Sequence, residues 1–195
     1  MKVYRNSMMY SEKKAAQIAA FFLFRAGGVL EILKLMKLMY LAERESFAKY
    51  GEPMMGDRLV SMEHGPVLSS TLDHMNNFVE SGPGGWESWI CDRDDHFVGL
   101  RETGDPTPRL TQLSDADLEI LGEIWAKYGQ YTGSQLRDLT HKICTEWEDP
   151  DYSSIPIPYT RVLKCVGYDA EVAAELNQRI QDQRRFEKIL AQAGT

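Results

Sequence analysis

Little in this chain invites catalysis. Cysteine is scarce: Cys91, Cys144 and Cys165 form no C-x-x-C pair. An odd count with no framework argues against a disulfide-stapled fold and points to reduced thiols acting as small apolar filler. Histidine is scarce too, and His64, His74, His96 and His141 show neither H-x-x-x-H nor H-E-x-x-H spacing. His64 and His74 stand ten apart with Gly65-Pro66 between them, so one helix cannot aim both at a metal. Asp92, Asp94 and Asp95 lack the glycine and closing glutamate of a calcium loop. There is no G-x-S-x-G elbow, and Gly82-Pro83-Gly84-Gly85 lacks the lysine and helix start of a phosphate cradle. His141 and Cys144 lie three apart on a predicted helix, but both fall on its inward face. No metal, no cofactor and no catalysed reaction are expected.

Long apolar runs are also missing. No stretch of about 18 uncharged apolar residues occurs, so no bilayer-spanning helix is predicted. Ala15–Phe24 follows Lys13-Lys14 much as a signal-peptide core would. Gln17 interrupts it, however, Arg25 follows it and no A-x-A site comes next, so it reads as an amphipathic helix of a cytoplasmic protein.

What is present suits a single domain over residues 1–195, its core spanning about 10–180 and a helical extension covering 181–195. An apolar content of 43% suffices for a core. The net charge of −7 is uneven: residues 1–50 carry nine Lys or Arg against four Asp or Glu, and the remainder carries thirteen against twenty-five. An acidic surface repels phosphates, which disfavours nucleic acid; it is compatible with a basic protein partner, or serves solubility alone. Lys34 and Lys37 sit on a helix too apolar to lie in a DNA groove. In the last helix Asp182 and Glu187 dilute Arg179, Arg184, Arg185 and Lys188.

The periodicity predicts a mainly α (α+β) fold, a compact bundle of about five to seven helices with one small β-hairpin. Ser11 caps a helix that stops at Gly27-Gly28. A second helix, apolar nearly all round and therefore buried on several sides, runs from about Val29 to Tyr50. Met54–Met62 is short and mixed, Glu63–Pro66 reads as a turn, and Val67–Val79 reads as helix. The hairpin is placed at Trp86–Ile90 and His96–Leu100. Ser114 caps the next helix, another begins near Ser134 and ends near Trp147, Glu148–Pro158 is a loop, and the last helix runs from about Asp169 to Ala193.

Two blocks make the pattern specific. The first reads K-L-x-K-L-x-Y-x-A over Lys34, Leu35, Lys37, Leu38, Tyr40 and Ala42, then Gly51 and Pro53, then His64-Gly65-Pro66-Val67. The second reads Leu113-Ser114, a break at Thr132-Gly133, then Leu136, Leu139-Thr140-His141 and Trp147. In this order the blocks resemble the Panacea domain, the SocA/GepA-like antitoxin family. One departure is Glu146, which precedes Trp147 where a proline is frequent. The resemblance implies an antitoxin that binds and blocks a cognate toxin protein, its homo-oligomeric state left open. A DNA-binding regulator, a phage-associated protein and a metal-dependent hydrolase are the alternatives. The family-motif residues are Lys34, Lys37, Tyr40, His64, Gly65, Pro66, Thr140, His141 and Trp147, serving either scaffold or partner binding. Lys37, Tyr40, His64 and His141 are expected to gather as a polar cluster inside the domain. The partner face is expected on the Trp86–Leu100 hairpin, the N-terminal segment or the last helix, where an exposed apolar patch would fit.

Overall fold

The computed structural model describes residues 10–193. Among these the chain runs α1 (Glu12–Arg25), β1 (Val29–Glu31), α2 (Ile32–Tyr50), β2 (Leu59–Met62), β3 (Gly65–Leu68), α3 (Ser69–Met75), β4 (Phe97–Gly99), α4 (Asp115–Tyr128), α5 (Gly133–Ile143), β5 (Ile155–Pro156), α6 (Tyr159–Cys165) and α7 (Ala170–Ala193). Single 3₁₀ turns occur at Trp86–Ser88 and Thr107–Arg109. The fold is mainly helical, with two small antiparallel sheets, β1-β4 and β3-β2-β5. None of the described helices is long and apolar enough to cross a membrane.

Helix α2 is the axis of the domain. Leu35, Leu38, Met39, Tyr40, Ala42 and Phe47 are fully buried along it. Against it pack Ile18, Phe22 and Leu23 of α1, Leu121 of α4, Leu136 of α5, and Val162 and Leu163 of α6. A helix touched on so many sides cannot be amphipathic, which is why its sequence is apolar nearly all round. It ends at Gly51, whose φ of 69° supplies the left-handed cap. Leu176 of α7 lies directly over that glycine.

The caps follow the sequence closely. The Ser11 hydroxyl accepts the Lys14 N–H, and Ser114 forms a reciprocal capping box with Asp117. A second box joins Thr132 to Gln135, so α5 starts at Gly133, one residue before Ser134, and stops at Ile143, short of Trp147. In α1 the interrupting Gln17 is buried but partnered: its side-chain oxygen accepts the Gln112 N–H at 2.8 Å.

The strands differ from expectation. Val29–Glu31 is extended rather than helical, and its partner is Phe97–Gly99. The Trp86–Leu100 segment keeps only isolated bridges, Ile90 with Leu100 and Asp94 with Phe97. Trp86 cannot extend because it is pinned to α1: its N–H donates to Glu12, as do the Gly82 N–H and the Ser81 hydroxyl. The hairpin with a full ladder is β2–β3, in register Leu59 with Leu68 and Met62 with Gly65. Pro66 is tolerated there because β3 is an edge strand. The helix expected from Val67 therefore starts at Ser69 and ends at Met75. The Glu148–Pro158 loop contributes β5, and α6 follows it, a helix of seven residues with too few turns to show a period.

Candidate functional site

The polar motif residues descend one side of α2 at three- and four-residue steps, and each ties the helix to a different part of the fold. Lys34 donates to the Gly129 carbonyl at 2.7 Å, just past the end of α4, with its amine also over the Trp125 ring. Lys37 donates to the Pro66 carbonyl of β3 at 2.8 Å. Tyr40 donates its hydroxyl to Glu146 at 2.9 Å, just beyond α5. One turn later Arg44 donates to the same Glu146 oxygen at 2.8 Å and to the Ile143 carbonyl at 3.2 Å. The α2 helix is thus bolted in turn to α4, β3 and the end of α5.

Burial sets the electrostatics of this row. Lys37 is fully buried, and desolvation pulls its amine down to about 7. The Tyr40 hydroxyl is held well above its ordinary value, first by burial and then by the Glu146 carboxylate. Burial also lifts the Cys144 thiol to about 12, which keeps it protonated in the core. His141 is lowered by desolvation and by the nearby Lys37 amine, which favours neutral imidazole.

Gly65 explains the tightness of the turn. Its φ is 96°, and a Cβ there would meet Lys37 Nζ at 2.9 Å, with His141 Cδ2 and Thr140 Oγ1 each at 3.1 Å. Glycine at this point lets the hairpin approach α2 and α5 together. Thr140 is fully buried and returns its hydroxyl to the Arg137 carbonyl. The His141 ring stacks on Trp147 at 4.1 Å and 12°, and the Trp147 indole N–H donates to the Met62 carbonyl at 2.9 Å.

Of the four residues expected to cluster, Lys37, Tyr40 and His141 line this inner region. His64 does not join them. It lies exposed at the β2–β3 turn, because the two-residue connection points it away from the ladder. Three buried side-chain atoms find no hydrogen-bond partner among the described residues: His141 Nε2 and Glu146 Oε2 here, and Arg184 Nε on α7. The Lys37–Thr140–His141 group sits beneath the Gly65 turn, and among the described residues no group of three or more His, Cys, Asp or Glu is placed to hold a metal ion.

Several members were not legible in the sequence. Glu43 is fully buried and accepts the N–H groups of Met54, Met55 and Gly56 at 2.9, 2.7 and 3.1 Å. Burial raises its carboxyl to about 7 despite those bonds. Asp57 accepts the Ser70 and Thr71 N–H groups at the start of α3, together with the Thr71 hydroxyl. Tyr159 donates to the Asp57 carbonyl and accepts from Arg184, whose guanidinium covers its ring, which fastens α7 to the body. The available signal for Glu43 was a carboxylate directly after the apolar run 38–42.

This arrangement, a buried helix whose polar groups are spent on other parts of the domain and a hairpin clamped over it, defines a mainly helical scaffold. The family model described as "Antitoxin SocA-like, Panacea domain" matches residues 35–148, more than half of the chain. The chain belongs to that family. The match runs from α2 past Trp147, so α1, β1, β5, α6 and α7 lie outside it. No curated protein and no solved structure gives a significant match.

Proposed function

We propose that this chain is the antitoxin of a toxin–antitoxin pair and neutralises a cognate toxin in the cytoplasm by direct protein–protein binding, without catalysing a reaction. The observation that carries this reading is the family match over residues 35–148. The geometry supports it. Lys34, Lys37, Tyr40, Thr140 and Trp147 all spend their polar atoms on the domain itself, which supports a scaffold role for these motif residues. Selectivity for the toxin then belongs to surfaces outside the motif.

The test is co-expression with the product of the adjacent gene. That product alone should arrest growth, and growth should return when this chain is supplied. A neighbour that is harmless alone, or that stays toxic beside this chain, sinks the proposal. The DNA-binding alternative gains nothing from α7, since Arg184 is turned inward onto Tyr159 and leaves the basic row.

A further inference from the structure

Among the described residues, two exposed apolar patches stand out. One is the distal end of α7, where Phe186, Ile189 and Leu190 are 61%, 55% and 55% exposed. The other is the outward face of the β1–β4 pair. Leu30 and Val98 are buried beneath it, whereas Val29 and Phe97 are 57% and 51% exposed. The register sets Val29 against Gly99 and Glu31 against Phe97, so these four share the outward face. Gly99 presents no side chain, and a Cβ there would stand 3.6 Å from Val29, which leans over it. Val29 and Phe97 are diagonal neighbours on that face, within reach of one anchor from a partner.

The face is rigid and its rim has one dominant sign. The Ile32 N–H donates to the His96 carbonyl and the Leu100 N–H to the Gly28 carbonyl, closing the ladder at both ends. Residues 92–105 carry five carboxylates against two arginines. Arg93 is held by its own turn, through the Asp95 carbonyl and the Asn76 side chain, while Asp92, Asp94 and Asp95 stand exposed. The α7 end is different: Arg185 and Lys188 are interspersed with Asp182 and Glu187, so it specifies no partner charge.

We infer that the β1–β4 face is where the toxin docks, and that the toxin offers an apolar pocket rimmed by Lys or Arg. Val29 and Phe97 fill the pocket, and the Asp92–Asp95 turn answers the basic rim. This inference rests on the antitoxin reading.

The experiment uses the full chain and the product of the adjacent gene as probe, with affinity measured from about 50 to 500 mM salt. The Val29→Ser/Phe97→Ser variant should bind about thirtyfold more weakly or worse, the loss of a central anchor. Phe186→Ser/Leu190→Ser should bind within about threefold of the parent. Parent affinity should fall with salt, and Asp94→Asn/Asp95→Asn should flatten that fall. Unchanged melting temperatures certify that the variants are folded, since every altered side chain is exposed. A folded Val29→Ser/Phe97→Ser variant that binds and neutralises like the parent overturns the docking face and leaves the antitoxin reading intact. Salt-independent affinity, or loss confined to the α7 variant, overturns it equally. A parent that neither binds nor neutralises removes the antitoxin reading and the docking face with it.

Discussion

Replacing Lys37 with methionine should invert the sign of its stability effect across neutral to alkaline pH. The amine is fully buried and its value is lowered to about 7, with desolvation the main cause. In the unfolded chain a lysine titrates near 10.4. Between those values the unfolded state binds more protons, so stability rises with pH there. Below about pH 7 both states are charged, and the folded state bears the whole desolvation cost. The difference of about 3.4 pH units corresponds to roughly 4–5 kcal/mol, of which about 2–3 kcal/mol is recovered between pH 6 and 9. Methionine removes that cost but leaves the Pro66 carbonyl without its 2.8 Å donor, a loss of about 1–3 kcal/mol at every pH. Lys37→Met should therefore be about 1–3 kcal/mol more stable than the parent at pH 6 and less stable above about pH 10. Urea unfolding of both proteins in steps from pH 6 to 9 measures the difference directly. Cys144, lifted to about 12, stays protonated in the folded state over this window, and its unfolded titration is common to both chains. A parent-minus-variant curve flat to about 0.5 kcal/mol across that range would refute the claim that Lys37 is a desolvated amine.

The other predictions concern neighbouring bonds. Glu146→Ala strands the Tyr40 hydroxyl and Arg44 and should cost about 3–5 kcal/mol by calorimetry, whereas Glu146→Gln, which keeps an acceptor, should cost less than half as much. Gly65→Ala combines a φ of 96° with a Cβ contact of 2.9 Å to Lys37 Nζ and should cost about 2–4 kcal/mol by urea unfolding. Glu43, raised to about 7, binds its proton more tightly when folded, so its contribution to stability falls as pH rises from about 4.5 to 7. Glu43→Gln should abolish that fall in a pH series, and Glu43→Ala, which removes the acceptor altogether, should speed amide exchange at Met54, Met55 and Gly56.

Helix identity was readable because its signals are local. Ser11 and Ser114 each cap through a side chain three residues from its bond, whereas Thr132, read as a break, proves to be a cap of the same kind; the apolar breadth of α2 follows from burial on several sides. Strand pairing was not readable in the same way. Phe97–Gly99 pairs with Val29–Glu31 across some seventy residues, and nothing local to either segment names the other. The nearer candidate, Trp86–Ile90, lost because Glu12 holds the Trp86 N–H at 2.7 Å. The site divides likewise. Lys37, Tyr40 and His141 were placed inside by motif and periodicity, but the acceptors that fix them, a carbonyl of β3 and a carboxylate beyond α5, are contacts of long sequence separation.

Glu146 shows what such contacts add to a motif. It stands where a proline is frequent in the resemblance, yet it is fully buried and accepts from both Tyr40 and Arg44. The tyrosine hydroxyl needs an acceptor because it has left water, and a proline at 146 would offer no side chain to provide one. Tyr40, Arg44 and Glu146 therefore form one unit in this chain, and a substitution at Glu146 deprives both of the others of the acceptor they share. That unit faces inward along with the two lysines. A scaffold whose polar groups are committed in this way can keep its interior constant while its outward faces change, and the exposed Val29–Phe97 diagonal with its acidic rim is such a face. Double-mutant cycles make the distinction measurable: Tyr40 with Glu146 should couple in stability, whereas Phe97 with Glu146 should not, being exposed and buried residues with no shared partner.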